Sequence, residues 1–104
     1  MGEVVEVVVT SPVEWMQPVV DELLAERLIA CAHQVRIDTT YRWEGAVQHE
    51  QEARAMLHTS QVALDTLLER IEGAHPYDVP CVMTTVMRAP ESYASWVAQS
   101  TSRP

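Results

Sequence analysis

Five valines crowd the first nine positions: Val4, Val5, Val7, Val8 and Val9. β-Branched residues suit a pleated strand, and apolar side chains at odd and even positions imply a strand covered on both faces, here from Glu3 to Thr10. Ser11-Pro12-Val13-Glu14 reads as a helix start, with serine as cap, proline in the first turn and Glu14 closing a capping box. Val19, Val20, Leu23, Leu24 and Leu28 recur at helical spacing and predict a helix ending near Cys31. Pro18 lacks the N–H that would bond back to the Glu14 carbonyl, so a kink or a later start is expected there.

From Val35 the period drops to two. Val35, Ile37, Thr39, Tyr41 and Trp43 share one face of a strand, and Arg36, Asp38, Thr40 and Arg42 the other. Glu44-Gly45 marks a turn, and the chain returns through a polar stretch, Gln48 to Glu52, into Ala53, Ala55 and Leu57 alternating with Arg54, Met56 and His58. This predicts a long antiparallel hairpin. Thr59-Ser60 can cap a second helix carrying the stripe Leu64, Leu67, Leu68 and Ile71, with Gly73 placed to end it. Cys81 to Met87 reads as a strand ended by Pro90, and Ser92 as the cap of a short last helix that turns Tyr93, Trp96 and Val97 inward.

The resulting order is α+β: a ferredoxin-like βαββαβ plait with a long central hairpin and a short C-terminal helix, one domain over 1–104. Such a plait lays both main helices on one sheet face. The first strand and the Cys81–Met87 strand carry apolar residues on both, so the second face needs a cover, and a homo-oligomer is inferred.

Fifteen acidic residues stand against seven arginines and no lysine, for a net charge of -8. A phosphate backbone would be repelled, which argues against nucleic acid as a partner. No apolar run reaches the ~18 residues of a membrane span, so no membrane insertion is expected. With no secretory leader evident, the expected location is the cytoplasm. Cys31 and Cys81 each lie in an apolar stretch and read as small buried hydrophobes. Met16, Met56, Met83 and Met87 sit on separate elements and read as core. The chain lacks a Gly-rich phosphate loop, a G-x-S-x-G elbow and an H-E-x-x-H helix, so no enzyme is expected.

The chemistry concentrates in two segments, Tyr41-Arg42-Trp43-Glu44-Gly45 and His75-Pro76-Tyr77-Asp78-Val79-Pro80. Both fall at turns or loops, where a scaffold displays working residues. Together with Glu26-Arg27-Leu28-Ile29-Ala30-Cys31 and the closing Tyr93-Ala94-Ser95-Trp96, they stand in an order and spacing that resembles the CutA divalent-cation tolerance family, over about Val4 to Thr101.

The resemblance implies a PII-like homotrimer associated with tolerance of copper and other divalent cations. It also implies intersubunit clefts lined by the hairpin's aromatic motif and the His-Pro-Tyr loop. A divalent metal ion, Cu²⁺ foremost, is the cofactor expected, with no organic cofactor. His75 is the first candidate ligand, since neutral imidazole suits copper or zinc; the competing reading is a hydrogen bond to a loop carbonyl or to a neighbouring carboxylate across the trimer. Glu44 offers oxygen and Cys31 a soft sulfur. Tyr41, Arg42, Trp43, Glu50, His58, Tyr77 and Asp78 are expected to line the cleft, with Trp43 and Tyr77 also suited to anchor an interface. His33 and His49 read as structural or exposed. Two other functions stay open: a PII-like sensor of a small metabolite, with Arg42 meeting its anionic group, and a trimeric adaptor for a protein partner.

Overall fold

A computed structural model describes residues 1–102 of the chain. The elements are β1 (Gly2–Ser11), α1 (Val13–Ala25), β2 (Cys31–Trp43), β3 (Ala46–Thr59), α2 (Gln61–Ala74), β4 (Val82–Ala89) and α3 (Glu91–Ser100). The four strands form one antiparallel sheet in the order β2-β3-β1-β4. Each crossover skips one strand: α1 carries the chain from β1 past β3 to β2, and α2 carries it from β3 past β1 to β4. Two interlocked split βαβ units of this kind make the ferredoxin-like plait.

Alternation along β1 divides the sheet. Val5, Val7 and Val9 point to the face that also receives Ala53, Ala55 and Leu57 of β3. Met16, Val19, Val20 and Leu23 of α1 and Leu67 and Ile71 of α2 close over them as the main core. On the opposite face, α3 covers only the start of β1, where Val4 packs with Ala30, Ala94 and Val97. A Cβ on Gly2 would come within 2.5 Å of the Ala94 Cβ, so glycine is what lets α3 lie against β1. Beyond α3 no helix covers this second face, although Val8 at its centre is only 9% exposed. Met83, Met87 and Val35 are 56%, 43% and 48% exposed, which corrects the reading of Met83 and Met87 as core.

Only Ala53 to Thr59 of β3 pair with β1, so the rest of the β2–β3 hairpin projects as a two-stranded arm. Glu44 (φ 50°) and Gly45 (φ 80°) make its two-residue turn, the left-handed geometry that matches strand twist.

Several boundaries differ from expectation. Ser11 caps no helix: it continues β1 opposite Ala53, and its hydroxyl donates to the Pro12 carbonyl. α1 runs on through Pro18 and ends at Ala25, six residues before Cys31. Arg27 stops it by adopting φ 58°, so that the Leu28 N–H reaches the Leu23 carbonyl and the Arg27 N–H that of Leu24. This is a Schellman ending without glycine. The Arg27 guanidinium also donates to the carbonyls of Gln99 and Ser102, tying the bend to the end of α3. Ser60 caps α2 as expected, accepting from the Ala63 N–H, while Gly73 lies inside that helix. α3 begins after Pro90 without a side-chain cap, and Trp96 faces outward, 46% exposed. Cys81 is exposed and Cys31 only partly buried, against the expectation of two buried thiols.

Candidate functional site

A cleft of about 560 Å³ opens where β1 ends, between the base of the hairpin arm and the loop that follows α2. Tyr41, Trp43 and Thr39 line it from β2, Glu52 from β3, and Tyr77 and Asp78 from the loop; Arg42 also reaches it. The two motifs legible in the sequence therefore do meet.

His75 holds the loop in place. Its Nε2 lies 2.8 Å from the Thr10 carbonyl, and its Nδ1 lies 3.1 Å from the Tyr77 N–H. A carbonyl only accepts and an amide only donates, so the ring is the neutral Nε2–H tautomer with both nitrogens engaged. It is buried between Trp15 and Tyr77, at ring-centre distances of 4.8 and 4.9 Å. Trp15 is fixed in turn by an Nε1–H bond of 3.2 Å to the Ala74 carbonyl. Within the subunit, this imidazole keeps no lone pair free for a metal.

Tyr77 donates its hydroxyl to Glu52 at 2.8 Å, and Glu52 is 4% exposed. Burial first, then this bond and the nearby carboxylates, raise the Tyr77 phenol well above its ordinary range. Burial and the carboxylates of Glu50 and Glu52 push the Tyr41 phenol up as well. At neutral pH both phenols stay protonated donors beside acidic acceptors. Arg42 makes no ion pair among the described residues. The Thr39 hydroxyl is buried with no hydrogen-bond partner there. The cleft thus offers a bound molecule an aromatic wall, a cation and an unused hydroxyl.

A second cluster lies at the other end of β2, on the bare face. Cys31 pairs directly with His58 of β3, and His33 follows two residues later on the same side of β2. Their donor atoms all lie within 4.8 Å of one another, the one group of three or more His, Cys, Asp or Glu among the described residues that could hold an ion. His58 bonds through Nε2 to Glu6 at 2.9 Å and through Nδ1 to the Tyr93 hydroxyl, which also touches the Cys31 sulfur at 3.2 Å. Burial, then Cys31 and Glu6, raise the Tyr93 phenol to about 12.

The three ligands expected from sequence do not converge in one subunit. Glu44 is exposed at the arm's tip, 13 positions along the hairpin from Cys31 and so roughly 40 Å away on an extended strand. His58, expected in the cleft, stands instead beside Cys31. Glu52 and Trp15 are the residues sequence reading passed over, and His33 is one it read as structural or exposed. Glu52 was hidden in a run of polar residues, and its one signal was a carboxylate paired across the hairpin with Ile37. Trp15 lies in the first turn of α1, where a large aromatic outside the apolar stripe could have drawn notice.

Known proteins agree with this architecture. The family described as CutA1 divalent ion tolerance protein matches residues 4–100. The divalent-cation tolerance protein CutA of Pyrococcus horikoshii is 37% identical over 100 residues, covering 93% of this chain and 98% of that one. Its counterpart in Thermus thermophilus is 34% identical over 97% of this chain and 99% of its own. The crystal structure of CutA1 from Pyrococcus horikoshii superposes with a TM-score of 0.88 at 35% identity, over 95% of this chain and 99% of that one. A PII-like CutA from Nostoc shares the fold, with a TM-score of 0.87 at 24% identity over 94% and 97% of the two chains. The fold is thus that of a known lineage, and the chain belongs to the CutA1 divalent ion tolerance family.

Proposed function

We propose that this protein is a non-enzymatic homotrimer of the cytoplasm that binds divalent cations, copper foremost, in clefts between its subunits and so contributes to metal tolerance. The observation that carries the reading is the bare sheet face. A row crosses the sheet from edge to edge, His33–Met56–Val8–Met83, flanked by exposed Val35 and Met87. An apolar surface of this kind, with no helix among the described residues long and apolar enough to cross a membrane, is best satisfied by sister subunits. The cleft opens beside an arm that extends beyond its own sheet, where a neighbour's surface would close it. The family name supports cations as the ligand class. Two unpaired cysteines suit a reducing compartment.

Sedimentation combined with calorimetry tests the reading. A trimer that takes up Cu²⁺ is expected, whereas a trimer indifferent to Cu²⁺ would leave assembly standing and remove the cation. In that event the unpaired Arg42 and the unpartnered Thr39 hydroxyl favour a second reading, a sensor of an anionic metabolite. A thermal-shift screen with carboxylates and nucleotides would report such a ligand by mass action.

A further inference from the structure

We propose that Cys31, His33 and His58 form a binding site for one divalent transition-metal ion of the zinc–copper class, with Glu6 orienting His58. The inference rests on the cation reading above and is independent of the cleft.

Topology presents the three donors on one side of a two-stranded ladder. Cys31 and His58 are direct cross-strand partners, and His33 is the diagonal neighbour. Their ligand atoms span at most 4.8 Å. Tetrahedral zinc–nitrogen and zinc–sulfur bonds set donors ~3.3–3.6 Å apart, so closure asks for an adjustment of about an ångström. The His33 and His58 rings already meet edge to face at 5.3 Å.

Donor chemistry selects the ion. One thiolate and two imidazoles suit zinc or copper and offer nothing to Ca²⁺ or Mg²⁺, which take oxygen. His58 is prepared as metal-bound histidines are: Nδ1 faces the sulfur, both touching the Tyr93 hydroxyl, while Nε2 is held by the Glu6 carboxylate. A thiolate and a carboxylate together balance a divalent charge. The Tyr93 hydroxyl stands between the sulfur and Nδ1 and would turn aside, or serve as an oxygen neighbour, when the ion enters. Three protein donors leave a fourth position for water or for a group from another subunit.

A purely structural hydrogen-bond chain would account for Cys31, Tyr93, His58 and Glu6. It does not account for His33, which is exposed, makes no side-chain hydrogen bond among the described residues, and still turns its ring against His58.

The full chain is titrated with Zn²⁺ by calorimetry and with Co²⁺ by absorption, with Ca²⁺ and Mg²⁺ as controls. Expected are one Zn²⁺ per chain, a thiolate-to-cobalt charge-transfer band, and no response to the controls. Because His33 is exposed, His33→Ala should fold normally and weaken Zn²⁺ binding ~10-fold or more, as even loss of an outer-shell partner does. Cys31→Ser should abolish the band, while Asp65→Asn, exposed on α2 away from both sites, should change neither readout. Equal Zn²⁺ affinity in wild type and His33→Ala, with no band, overturns the site. If that binding then disappears in Glu52→Gln, the cleft holds the ion and the cation reading survives. A wild type that takes up neither Zn²⁺, Co²⁺ nor Cu²⁺ overturns both.

Discussion

The two faces of the sheet are built from the same strands and meet opposite fates. On the helix side, Val5, Val7, Val9, Ala55 and Leu57 are at most 1% exposed, sealed by α1 and α2. On the other side, α3 covers Val4 and Val8 is 9% exposed, but Met83, Met87 and Val35 stay half in water. The first face completes the main core within one chain, with Val86 of the edge strand β4 left half exposed. The second leaves apolar side chains exposed, together with the cysteine and histidines proposed above as a metal site. One side thus holds the core of the fold, and the other is where assembly and ligand binding are proposed.

The contrast is broken most directly on the sealed side. Leu67→Ala removes a fully buried side chain between α2 and the sheet and should cost ~2–5 kcal/mol in urea unfolding. Next comes Met83→Glu on the bare side. It places a carboxylate where a neighbour is proposed to pack, and should weaken assembly by ~2 kcal/mol or more per interface. The far-ultraviolet circular dichroism of the isolated subunit should stay unchanged. A Met83→Glu trimer as tight as wild type would show that the face is not the contact.

A smaller effect is expected at the cleft. Tyr77→Phe strips Glu52 of its hydroxyl partner and should cost roughly 1.5 kcal/mol. The same pair has a pH signature. The folded-state pKa of Tyr77 is raised above its ordinary value of 10.0. Its contribution to stability is therefore whole below pH 10 and fades as pH rises beyond it. Denaturation midpoints across that range should fall less steeply in Tyr77→Phe than in wild type. The smallest effect belongs to the arm's tip, where Gly45→Ala meets φ 80° and should cost about 1 kcal/mol without touching either face.

Much of this division was legible in the residues. Period-two alternation from Val35, the Glu44-Gly45 turn and the leucine stripe of α2 identify elements the structure contains, and apolar residues on both sides of β1 announced the uncovered face. Local rules failed where tertiary contacts outweighed them. Ser11 was read as a cap because its neighbours suit a helix start, but the β1–β3 ladder claims it. Arg27 ends α1 although glycine is the usual signal, since its guanidinium gains the carbonyls of Gln99 in α3 and of Ser102 just past it, which no short window reveals. The Cys31–His33–His58 cluster was invisible for a related reason. It depends on a register that sets position 31 opposite position 58, and that register emerges only when the whole hairpin zips. His75 was marked as the first candidate ligand, and within the subunit its two backbone hydrogen bonds make it a brace for the loop.

The claim beneath these predictions is that the bare face is completed by other copies of the same chain. Sedimentation of the purified protein at micromolar concentration measures this directly. The account predicts a single species of about 35 kDa, three chains of 11.7 kDa each. A well-folded particle of 11.7 kDa, unchanged on concentration, would contradict it.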